Sequence, residues 1–143
     1  MKPVLLLHLL CIAIWLGCIL VEALYEHSID GSPVMRRFVS TLHWNTDRYI
    51  EIPAFLGVLL SGGAMVHGAR LTPLLWAKIT LGLVAIAFNA ACVRLVIRRL
   101  KLAQAGDFAG WERIDHWQHK LGAVVLLALL GALGIGEFQL SGG

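Results

Sequence analysis

The stretch LLLHLLCIAIWLGCILVE, residues 5–22, decides how this chain is read. Its length and apolar character are those of a membrane span. A bare anchor, however, has no need of His8, Cys11, Trp15, Cys18 and Glu22. These five follow one another at spacings of three or four, which places them on one face of a helix. Met1-Lys2 before an apolar run resembles a secretory signal, and Leu16-Gly17-Cys18 faintly resembles a lipoprotein box. The run continues through Ile19, Leu20 and Val21 with no small-x-small cleavage site, so a true transmembrane helix is expected.

The rest of the composition agrees. Of 143 residues, 58% are hydrophobic and 15% charged, too apolar for an ordinary soluble domain. The formal charge is +3, and the basic residues do not gather on an aromatic-laced polar face, which excludes nucleic acid as a partner. Cys11, Cys18 and Cys92 all lie in apolar segments and form no CxxC, so no disulfide framework is expected.

Four apolar segments, about 3–24, 51–69, 73–97 and 119–138, each approach the ~20 residues a bilayer requires. The expected fold is therefore all-α: a single-domain four-helix transmembrane bundle. Gly31-Ser32-Pro33 reads as a turn that opens a new helix. From Val34 to Ile50 apolar residues recur at helical spacing, as in an amphipathic extension of the second span, with a kink at Pro53. The link Gly68–Pro73 is short, making spans two and three antiparallel neighbours. The link at about 98–118 is charged and reads as a longer connection broken by Gly106 and Gly110.

Cations set the orientation. Arg36, Arg37, Arg48, Arg98, Arg99, Lys101, Arg113 and Lys120 fall on one side, Lys2 and Arg70 on the other. The richer side is expected to be cytoplasmic, with both termini on the outer, periplasmic side of a bacterial inner membrane.

Polar groups in a bilayer are costly and usually face the bundle interior. A second stripe, Lys78, Gly82, Ala85, Asn89 and Cys92, runs along the third span. In the second span Gly57, Ser61, Ala64 and Gly68 make a small-xxx-small ridge, which reads as packing, as do Gly131, Gly134 and Gly136 in the fourth. His8, His67 and Lys78 reach a similar depth from the outer side, where Lys78 could also snorkel to the surface. Glu22, Glu26, His27, His43, His116 and His119 gather at the other end. Single histidines such as His27 and His43 read first as solvated or capping groups. His116 and His119 beside Trp117 read equally well as interfacial anchors.

Histidines on different helices of a membrane bundle suit haem b, with neutral imidazole on the iron and cations such as Arg70 on the propionates. The metal-ligand candidates are His8, His67, His116, His119 and His27. One haem is expected at the outer side, and a second if the cytoplasmic histidines also bind. A metal ion is the alternative: the thiols of Cys11 and Cys18 with His8 suit copper or zinc by softness, and copper is the cofactor expected on that reading. Cys11 and Cys18 stand about 10 Å apart along the helix, too far to share one ion.

Several of these residues also resemble a known family. His8 with Trp15-Leu16-Gly17, Tyr25-Glu26-His27, Glu51-Ile52-Pro53 and Trp76-Ala77-Lys78-Ile79-Thr80-Leu81 resemble the small bacterial HemJ-type membrane proteins and the related CopD-like domains. The resemblance covers about the first two-thirds of the chain. It implies bound haem b and protoporphyrinogen oxidation, with the family's histidine at His8 and its lysine at Lys78, although Trp76-Ala77-Lys78 is shorter than the family's Trp-x-x-Lys. A CopD-like relative implies copper handling. On this reading the chain is a redox protein, an oxidoreductase or electron carrier. His8, His67, Trp15 and Arg70 meet the cofactor, and Lys78 and Asn89 act at the reacting centre. The bilayer, a quinone or porphyrin and further copies of the chain are the expected partners. A cofactor-free accessory subunit is the remaining reading.

Overall fold

The computed structural model describes residues 2–141, and these form helices joined by short turns. Helix α1 spans Lys2–His27. After the turn at Gly31, α2 spans Pro33–Thr46, with Ser32 Oγ accepting from the Met35 N–H and Pro33 in the first turn. A π-helical turn, Asp47–Glu51, carries α2 directly into α3, Ile52–Val66. Helix α4 spans Pro73–Ala105 and α5 spans Phe108–Leu140. Among the described residues four helical segments are long and apolar enough to cross a membrane, with α2, the π turn and α3 counting as one.

Two expectations change. The segment at 98–118 is not a long connection. It belongs to α4 and α5, which meet at a turn of Gly106 and Asp107. Gly106 takes the left-handed conformation that ends α4 (φ +77°), and Asp107 caps α5 through the Gly110 N–H at 2.9 Å. Gly110 is thus helical rather than a breaker, and its missing side chain matters. A Cβ there would stand 2.5 Å from Asp107 Oδ2. The second change concerns Pro53. The helix accommodates it by the wide turn just before it, the usual way a helix absorbs a missing N–H and a ring clash.

Helices α4 and α5 form a long antiparallel hairpin, α1 lies against α3, and α2 lies against α4. The core is Ile12, Trp15, Ala54, Phe55, Val58, Ala85, Val125, Ala128 and Leu129. Trp15 stacks at a tilt on Phe55, ring centroids 5.9 Å apart. Helices α1 and α3 touch where side chains are small: a Cβ on Gly57 would meet Cys11 Sγ at 2.5 Å. The ridge continues through buried Ser61 and stops there. Ala64 is exposed, and Gly68 lies past α3 in the turn, with φ +84°. Exposed Leu6, Leu10, Leu24, Leu60 and Leu127 give the outside a lipid-compatible surface.

The spans alternate in direction, so residues 2 and 141 share one end, here called the terminal end. At the α-helical rise the 33-residue helices α4 and α5 are about 50 Å long, against a hydrocarbon core of about 30 Å. The excess, with α2, forms a polar layer at the opposite, distal end. There Arg36 pairs with Glu112 at 2.7 Å, and Trp111 Nε1 donates to Ser40 Oγ at 2.8 Å.

Candidate metal centre

The distal half of the bundle encloses a cluster of ionisable groups. Helix α1 brings Glu22 and Glu26. Helix α2 and the π turn bring His43, Asp47 and Glu51, each four residues from the last. Helix α4 brings Asn89 and Arg99. All seven are buried, between 0% and 8% exposed. The π turn aids this alignment. An α-helix drifts by a fraction of a turn over four residues, and a wider turn reduces that drift, so both Asp47 and Glu51 stay on the buried face.

His43 is the hub. Its Nδ1 lies 2.6 Å from Glu26 Oε1. A carboxylate can only accept there, so Nδ1 donates to it, and Arg99 Nη2 stands 3.0 Å from the same nitrogen. Glu26 is held in turn by Arg99, which grips both its oxygens and also bonds Asp115. With Nδ1 so engaged, Nε2 faces Glu22 Oε2 at 3.4 Å and Asp47 Oδ1 at 3.6 Å. Glu22, His43 and Asp47 each offer a ligand atom within 4.8 Å of the others. A carboxylate holding the far nitrogen of a histidine is the arrangement that orients metal-bound imidazoles.

Charge points the same way. Glu22, Asp47 and Glu51 converge around His43, while the charge of Arg99 is taken up by Glu26 and Asp115. Neither oxygen of Asp47, 1% exposed, has a hydrogen-bond partner among the described residues, and neither has Glu22 Oε1. A buried carboxylate left so is costly without a compensating cation or proton. The groups line a cavity of about 230 Å³, with Glu51, Asn89 and Cys92 on its walls and His119 among its lining.

A polar chain leads from this centre toward the terminal end. Asn89 Nδ2 donates to Glu51 Oε2 at 3.0 Å, and Trp15 Nε1 donates to Asn89 Oδ1 at 3.4 Å. Trp15, fully buried, ends the chain. Beyond it lies a second, smaller polar group. His8 Nδ1 is 2.9 Å from Ser61 Oγ, and the Ser61 hydroxyl donates to Gly57 O. The serine therefore accepts from His8, whose Nε2 keeps its lone pair. Lys78 is half-buried against Gly136.

The residues singled out from sequence divide between these places. Trp15 and Asn89 meet directly, while His8 and Lys78 share the terminal group. His67 and Arg70 are exposed in the turn after α3, and His27 and His116 are exposed at the distal end. His119 is exposed and bonds the Asp115 carbonyl at 2.8 Å. With Glu26 and Asp115 it forms a second possible donor group beside the first. His43, read as a solvated or capping residue, is instead buried at the hub, and Asp47 and Arg99 join it. The available signal was the four-residue spacing of His43, Asp47 and Glu51 on one face, and an arginine on the buried stripe of α4.

The chain matches no protein-family model, no curated protein and no solved structure.

Proposed function

We propose that this chain is a multi-pass membrane protein that binds a divalent transition-metal ion inside its bundle, through Glu22, His43 and Asp47, and that its role is metal handling. One observation carries this reading. His43 Nε2 stands 3.4 and 3.6 Å from two carboxylate oxygens while Glu26 holds Nδ1. Bond lengths of about 2.0–2.2 Å to zinc imply donor–donor edges of roughly 3.4 Å in a tetrahedral site. The donor set, one imidazole and two carboxylates, suits zinc, iron, manganese or Cu²⁺ better than Cu⁺, which prefers thiolates. The cation excess of the distal end supports a cytoplasmic placement for it, in a bacterial inner membrane, with both termini outside.

The test is elemental analysis of detergent-purified protein after growth with manganese, iron, cobalt, nickel, copper and zinc supplied. Close to one bound ion per chain, lost in His43→Ala and retained in His27→Ala, is expected. A metal-free wild-type protein that takes up none of these ions on dialysis would overturn the proposal.

A second reading has an observation of its own. His8 is buried with Nδ1 bonded to Ser61 and Nε2 unprotonated, the tautomer an axial haem ligand needs. The resemblance to HemJ-type proteins adds to it. Haem b there would supply one-electron redox chemistry with a porphyrin or quinone as partner. His8 would bind it and Ser61 would orient His8. Lys78 lies on the same level, and further copies of the chain could complete the site. A Soret band present in wild type and lost or shifted in His8→Ala would support it; colourless protein from a haem-replete host would remove it.

A further inference from the structure

The α4–α5 hairpin has two flanks at the distal end. Helix α2 covers one, where Arg37 Nε donates to the Ala103 carbonyl at 3.1 Å and Trp111 donates to Ser40. The other flank holds a groove of about 410 Å³ lined by Leu95, Arg98 and Leu102 of α4 and by Arg113, Ile114 and Trp117 of α5.

Charge says what this groove fits. Arg98 and Arg113 are exposed on facing helices. Among the described residues neither pairs with a carboxylate, whereas Arg36 pairs with Glu112 and Arg99 with Glu26 and Asp115. Asp107 also lines the groove; its carboxylate caps α5 through the Gly110 N–H and offsets one of the two arginine charges, so the groove keeps a net positive charge. The groove is therefore set for an anion.

Depth says where the anion comes from. Leu95 lies near the end of the apolar stretch of α4, with Arg98 about one turn beyond; on α5 Trp117 stands one turn before the apolar run that begins at Leu121, with Arg113 one turn further out. That is the level of lipid headgroups. Trp117 is 58% exposed, as expected of an indole seated at the membrane interface. Leu95 and Ile114 give the groove an apolar floor that a small inorganic anion would not use.

We propose that this groove binds the phosphodiester headgroup of an anionic phospholipid. Arg98 and Arg113 clasp the phosphate, and Leu95, Ile114 and Trp117 take the glycerol and first acyl carbons. Basic pockets between membrane helices are suited to such headgroups. The site is independent of the metal centre, because α2 and the paired Arg99 lie on the opposite flank.

The experiment is native mass spectrometry of the full chain released from nanodiscs of mixed phosphatidylglycerol and phosphatidylcholine. Wild type should retain phosphatidylglycerol preferentially. Retention should fall by about fivefold for each of Arg98→Gln and Arg113→Gln and more in the pair. The control Arg94→Gln/Lys101→Gln, exposed cations of α4 outside the groove, should leave it unchanged. Three results would overturn the proposal: equal retention of the two lipids, equal retention by the groove pair and its control, or release of the lipid by millimolar inorganic phosphate. The last would mark a site for small anions. Because both arginines are exposed, circular dichroism and thermal melting should match wild type in every variant, and a variant that fails this is replaced by Arg98→Lys/Arg113→Lys, which keeps charge but loses the bidentate fork and should retain an intermediate amount.

Discussion

Glu26 and His43 stand 2.6 Å apart, carboxylate oxygen to Nδ1, and Arg99 donates to both oxygens of the same carboxylate. The pair sets which ring nitrogen of His43 faces Glu26 and which faces Glu22 and Asp47. An arginine can be fully buried in this bundle because Glu26 and Asp115 meet its charge in place of solvent.

Glu26→Gln should weaken metal binding while leaving Glu22, His43 and Asp47 in place. Loss of such an orienting partner typically lowers affinity by about 10–100-fold. Competition with a chromophoric chelator measures it, and affinity equal to wild type would show that Glu26 does not orient His43.

Asp47→Asn separates metal binding from folding. In metal-free protein it removes one of several converging buried carboxylates, so the variant should melt at or above the wild-type temperature. With metal added, the wild type should gain stability and the variant should not. A metal-free variant less stable than wild type would mean that the Asp47 charge is compensated without an ion.

Arg99→Met should destabilise strongly. Breaking a buried ion pair by removing one partner leaves an uncompensated charge and costs about 3–5 kcal/mol. The double change Arg99→Met/Glu26→Met removes both members of the main pair and should recover part of that loss, leaving Asp115 half-buried. Chemical denaturation in mild detergent reports both. Equal stability of the single and double variants would refute the pairing.

Metal affinity should fall as the buffer is taken from neutral to mildly acidic pH. His43 must be free at Nε2, and Glu22 and Asp47 must be ionised, so protons compete with the ion for the same atoms. Binding isotherms across that range test the sign; affinity that rises on acidification would contradict the assigned ligands.

Gly57→Ala should loosen the α1–α3 contact, since its Cβ would fall 2.5 Å from Cys11 Sγ. Overpacking of this kind costs about 1–3 kcal/mol. Cys11→Ala in the same chain should relieve most of it, a coupling that a double-mutant cycle measures. Gly17→Ala, where a Cβ meets nothing within 4 Å, should be silent.

The sequence by itself determined the class of fold. Apolar runs of bilayer length and the three-to-four spacing of His8, Cys11, Trp15, Cys18 and Glu22 required helices with one inward face, because backbone polar groups in lipid must be satisfied within the segment. The inward placement of Ala85 and Asn89 followed from the same periodicity. It could not show that Arg98–Lys120 is helical, because that stretch lies past the apolar run and its charges resemble a loop. Nor could it rank the histidines. Periodicity places a residue on a face of its own helix and says nothing of which residues from other helices arrive there. Only the packing of α1, α2 and α4 brings Glu22, Glu26 and Arg99 to His43, and only the π turn before Pro53 keeps Asp47 and Glu51 both inside. Burial then turns an ordinary interfacial histidine into the hub of the bundle, since charges removed from water must find one another or find an ion.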